Sequence, residues 1–210
     1  MGLSKQRDDG LPTFSSSILR LEICGPKEDH LSVIDVPGIF RNTSPGLTTK
    51  QDKTMVQNMV QGYMKNPRSI MLTVVPANVD IATQEIVEMA RESDPDGERM
   101  LGVITKPDLV DKGAESKVID LLEGKTMQFK LGWVVVRNLG HKELQDGDVD
   151  REAREEDLYR EHPWNIVSRD KFGIQALRIR LQETVTANAR RTFPLVVLPP
   201  PAFGSHRPCH

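Results

Sequence analysis

The sequence predicts an open α/β sheet, mostly parallel, with helices on both faces. Short apolar runs, several nearly continuous, recur along the chain in the manner of strands buried in a parallel sheet. Segments with apolar residues at helical spacing stand between them. The two kinds alternate, which is the pattern of helices crossing over between parallel strands. A chain of 210 residues is long enough to bury a core of this type.

Residues 18–24, 31–35, 69–75, 100–105 and 133–137 read as strands. Met55, Val56, Met59, Val60, Tyr63 and Met64 repeat at helical spacing until Pro67 ends the run. Ala82, Ile86, Met89 and Ala90 mark a second helix, and Val118, Ile119, Leu121 and Leu122 a third. Ile174, Leu177, Leu181 and Val185 mark a fourth. Residues 142–161 are dense in charge and read as a solvated loop leading into an exposed helix.

Composition narrows the function. The 28 Lys and Arg against 30 Asp and Glu give a formal charge of −2, which offers no footprint for nucleic acid or an anionic membrane. No stretch approaches the roughly 20 apolar residues of a membrane helix, and residues 1–10 are too polar for a secretory signal. Cys24 and Cys209 read as free thiols of a reducing compartment, so the expected location is cytoplasmic. Residues 1–13, and residues 195–210 with their Pro199-Pro200-Pro201 run, are expected to be disordered. His206, Cys209 and His210 in that tail are read as carrying no metal.

Two motifs carry chemistry. In Asp35-Val36-Pro37-Gly38, an apolar run ends in a carboxylate with a glycine three residues on. At the carboxyl edge of a parallel sheet, such an Asp steers Mg²⁺ through water and the Gly N–H meets a terminal phosphate. Alone this spacing is common. Thr105-Lys106-Pro107-Asp108, 70 residues after Asp35, closes another apolar run. The Asp108 carboxylate can accept from both N1–H and the N2 amine of guanine, a pattern adenine cannot offer, while Lys106 lays its stem over the base plane. Residues 133–137 then lead to Asn138, where a last loop would cover the base.

With these motifs in place, the chain resembles the GTPase domain of the dynamin superfamily, in particular its myxovirus-resistance-like branch. The resemblance extends through Val75-Pro76-Ala77-Asn78-Val79-Asp80, Ser93-Asp94-Pro95-Asp96-Gly97-Glu98-Arg99 and Glu161-His162-Pro163-Trp164, and spans residues 14–194. It implies a P-loop NTPase-like fold, GTP and Mg²⁺ as ligands, and GTP hydrolysis coupled to membrane remodelling in the parent protein. It also implies a role for each motif residue: Asp35 for Mg²⁺, Gly38 for the terminal phosphate, Thr105, Lys106 and Asp108 for guanine, and Asn138 for the base-capping loop. Leu139 and His141 stand where that loop commonly has Arg and Gln.

A GTPase of this class also needs Gly-x-x-x-x-Gly-Lys-Ser/Thr. Gly124-Lys125-Thr126 resembles its end, but Ile119 occupies the first Gly position and a helix precedes it, so it reads as a surface turn. The 34 residues before Asp35 are too few for a first strand, phosphate loop and first switch, so an incomplete domain with no assignable catalytic residue is expected. Two readings stay open. One is a fragment of a GTP-hydrolysing protein; the other is a non-catalytic module that pairs with full-length relatives through their GTPase faces. Contacts with membrane or cytoskeleton would belong to domains not present, and no nucleic-acid partner is expected.

Overall fold

The computed structural model describes residues 13–26, 32–38, 48–81, 84–147 and 149–192. At its centre is a three-stranded, all-parallel sheet in the order β1 (Met71–Pro76), β2 (Met100–Thr105), β3 (Trp133–Val136). The crossovers are α2 (Glu85–Ser93) between the first two strands and α3 (Glu115–Leu122) between the last two. α1 (Lys50–Met64) precedes the sheet, and α4 (His141–Asp146), α5 (Arg151–Arg160) and α6 (Ile174–Thr192) follow it.

Local sequence accounts for these elements. Thr49 caps α1 reciprocally with Asp52: Thr49 Oγ1 accepts from the Asp52 N–H at 3.2 Å, and Asp52 Oδ2 accepts from the Thr49 N–H at 2.7 Å. Val56, Val60 and Met64, at four-residue spacing, then form the buried face. α1, α2 and α3 share one core with Met71, Met100, Ile104 and Trp133 on one face of the sheet. α6 covers the other face, where Ala176, Leu177 and Leu181 meet Leu101, Val103, Val134 and Val136.

Two details lock the layers. Gly102 sits directly under the Trp133 indole, which stacks on Phe129 with ring centroids 4.5 Å apart. Arg99 is buried, and its guanidinium donates to the carbonyls of Met64, Asn66, Ser69 and Ser93 at 2.9–3.3 Å. Its own N–H donates to Asp94 Oδ2 at 2.8 Å. The chain reversals at the amino ends of β1 and β2 are thereby held by one side chain.

Three expectations need correction. Residues 18–24 form no strand, and neither do residues 32–35; Leu31 lies outside the described residues. Ile18, Leu21, Ile23 and Val33 are 75–82% exposed, so these runs have the composition of buried strands but pair with no strand among the described residues. In the charged stretch the expected helix is present as α5, but it buries Glu155 and Leu158, and a short helix, α4, stands where the loop was expected. The remaining strands and the four expected helices are found within a few residues of their predicted limits, except that Ala82 lies outside the described residues. Residues 1–12 and 193–210 also lie outside them, with the His206, Cys209 and His210 tail. Cys24 is an exposed free thiol. No described helix is long and apolar enough to cross a membrane, and no metal-holding cluster of His, Cys, Asp and Glu occurs among the described residues.

Candidate functional site

The register of the sheet aligns Pro76 with Thr105 and Thr105 with Val136, so the loops after β2 and β3 leave one edge side by side. At the end of β2 the Ala77 N–H donates to the Thr105 carbonyl at 2.7 Å, and Thr105 Oγ1 donates to the Val75 carbonyl at 3.4 Å. Lys106 then adopts φ 56°, ψ 44°, the single non-glycine residue at positive φ among those described. A lysine in this left-handed region costs about 1–2 kcal/mol, and such strain concentrates at ligand-binding turns. The twist drives Pro107 into the core and starts a 3₁₀ turn over Pro107–Leu109, leaving Lys106 and Asp108 exposed at the sheet edge.

The loop after β3 is held by charged groups. Glu155, buried on α5, accepts from the Arg137 N–H and the Ile174 N–H, each at 2.9 Å, joining the end of β3 to the start of α6. Arg137 Nη2 donates to Glu143 Oε1 at 2.7 Å, and the Gly140 N–H donates to Glu143 Oε2 at 2.8 Å. The Arg137 guanidinium, then the Gly140 N–H, hold the Glu143 carboxyl below its ordinary range. Asn138 is exposed, and its Oδ1 accepts from Arg151 Nε at 3.3 Å.

The structure thus brings Thr105, Lys106, Asp108 and Asn138 to one edge. Asp35 and Gly38 lie instead on an irregular, exposed segment, tied to the main core through the half-buried Val36. A Cβ added at Gly38 would meet nothing within 4 Å. Glu143, Arg151 and Glu155 were not legible as site-shaping residues, because a charged stretch carries no mark of which carboxylate tertiary packing buries. Lys125 of the Gly124-Lys125-Thr126 trio lies 3.1 Å from Asp120 and 2.5 Å from Glu123, which raise its pKa, and Gly124 adopts φ 76° just beyond α3. That is the geometry of a helix-ending turn.

The open, all-parallel three-stranded sheet with helices on both faces is that of a partial P-loop GTPase-like α/β domain. Sequence comparison narrows the class. The dynamin family model matches residues 3–107, and the dynamin central region model matches residues 117–197. The interferon-induced GTP-binding protein Mx of Perca fluviatilis is 41% identical over 151 residues, which cover 71% of this chain and 50% of that protein. The interferon-induced GTP-binding protein Mx1 of Mus musculus is 35% identical over 187 residues, 87% of this chain and 30% of that one. For the Otaria byronia Mx1 the identity is also 35%, over 87% of this chain and 28% of the relative. The chain belongs to the dynamin family and is Mx-like, and it spans half or less of the length of these relatives.

Proposed function

We propose that this chain carries the guanine-recognition edge of a dynamin-type GTP-binding site. The observation that supports this most directly is the strained turn at Lys106, which exposes Lys106 and Asp108 together at the end of a central strand. Asp108 would accept from N1–H and N2 of guanine, Lys106 would cover the base plane, and Asn138, steadied by Arg151, would close the opposite side. Thr105, bonded to Val75, fixes where the turn begins.

Asp35 would hold Mg²⁺ through water and the Gly38 N–H would meet the terminal phosphate. Asp35 fits the ion, being an exposed carboxylate with access to solvent ligands. Mg²⁺ supplies neutralisation of phosphate charge when bound. Hydrolysis of GTP, self-association and membrane remodelling are proposed for the parent protein. A cytoplasmic location goes with that reading.

The test is titration of a fluorescent GTP analogue, with Mg²⁺, into the wild type and Asp108→Asn. Hydrogen bonds to a charged acceptor contribute about 1.5–3 kcal/mol each, so Asp108→Asn is expected to weaken guanine binding at least about tenfold and to favour a xanthine nucleotide. Equal binding of guanine by both proteins, or no guanine preference in the wild type, would defeat the assignment.

A further inference from the structure

We propose that Arg151 is a positioning residue for base selection: by holding the oxygen of the Asn138 side-chain amide, it leaves the amine as the end that meets a ligand, and so favours a purine with an acceptor at position 6. This rests on the guanine-edge reading above and adds to it what decides the choice of purine on the Asn138 side.

The argument starts from the donor inventory. Arg151 Nε donates to Asn138 Oδ1 at 3.3 Å. A guanidinium has no acceptor, so an amide beside it must turn its oxygen inward; the flipped amide would set N–H against N–H. Oxygen and amine stand at opposite ends of the amide fork. A base approaching from the side away from Arg151 therefore meets donors. Guanine presents two acceptors there, O6 and N7, whereas adenine presents an amine at position 6. Asp108, as an acceptor for N1–H and N2, reads the complementary pattern. The orientation of one exposed amide thus penalises adenine as well as favouring guanine.

Arg151 is itself held in place. It is the first residue of α5, whose start is fixed by Asp150 Oδ1 accepting from the Glu152 N–H at 2.9 Å. One turn along the helix, the buried Glu155 carboxylate lies 3.7 Å from Arg151 Nη2. The same carboxylate accepts from the Arg137 N–H. Glu155 therefore constrains Asn138 twice, through the backbone just before it and through the guanidinium on its side chain. Arg154 makes a second tie from α5, with Nε 3.4 Å from Glu143 Oε1, on the carboxylate that closes the loop through Arg137 and Gly140.

The experiment is a double-mutant cycle on the full chain, in Mg²⁺, with GTP, 6-thio-GTP and ATP competing against a fluorescent GTP analogue. The thio nucleotide keeps N1–H and the N2 amine but has a weaker acceptor at position 6. The wild type is expected to prefer GTP over it about three- to tenfold. Arg151→Met and Asn138→Ala should each abolish that preference, and the double variant should lose no more GTP affinity than Asn138→Ala alone. Arg151→Lys keeps a cation beside Glu155 but has one ammonium in place of Nε and Nη2, so it should keep the urea midpoint and still lose the preference. A preference retained in both Arg151 variants, or losses that add in the double variant, overturns the proposal. So does a wild-type Asn138 side-chain amide that ¹⁵N relaxation finds mobile without nucleotide, even if guanine binds. Loss of GTP affinity in Asp108→Asn with none in Asn138→Ala overturns the Arg151 assignment and leaves the guanine edge standing. A rigid amide in a wild type that binds GTP no better than ATP defeats the guanine reading, and this selection with it.

Discussion

At residue scale, the tightest constraint is the space under Trp133. A Cβ on Gly102 would lie 2.0 Å from Trp133 Cε3, well inside contact distance, in the middle of a strand buried on both faces. Overpacking costs about 1–3 kcal/mol where neighbours can yield, and the stacked Phe129 restricts that yielding. Gly102→Ala is therefore expected to lower the denaturation midpoint by at least that equivalent. Trp133→Phe on the same background should recover part of the loss. An unchanged midpoint in Gly102→Ala would show that the indole moves freely. Gly173 is a second such position: its φ is 97°, and a Cβ there would approach Glu155 Oε2 to 2.9 Å.

Among the elements, α5 does more than its charge-rich sequence suggests. Through Glu155 it supplies the acceptor for one N–H at the end of β3 and one at the start of α6. Removing that carboxylate leaves both donors without it, at about 1–3 kcal/mol each. Glu155→Ala should cost about 3 kcal/mol in urea unfolding and speed exchange at Arg137 and Ile174 before it affects β2. Retained stability would mean that water replaces the carboxylate. The strands β1, β2 and β3 were legible as apolar runs because all three find neighbours. Residues 18–24 carry the same signal, yet pair with no strand among the described residues, because sheet membership depends on a partner that a local pattern does not contain. Thr105, Lys106 and Asp108 marked the turn proposed to hold guanine, and the structure puts an exposed turn there, at the end of β2. The strain at Lys106 was not, because lysine carries no preference for positive φ. Nor did the sequence mark Asp35 as lying off the sheet, since Asp35-Val36-Pro37-Gly38 is the same string whether or not its flank pairs.

At the scale of the whole molecule, the Arg99 side chain joins parts of the chain that are far apart in sequence. Its bonds to Met64, Asn66 and Ser69 span 30–35 residues, and its bond to Ser93, with the Arg99 backbone N–H on Asp94, closes the reversal on the other side. Loss of the donors leaves several buried or half-buried carbonyls unsatisfied at once. Arg99→Met is accordingly expected to speed hydrogen exchange in α1, β1 and α2 together, as one cooperative unit. Loss confined to the Ser93 turn would show that these elements are held independently. A consequence follows for the order of synthesis. Residues 50–98 are made before residue 99, so their turn carbonyls stay hydrated until a single guanidinium emerges to gather them. These 49 residues are then expected to close together once Arg99 is present, rather than helix by helix.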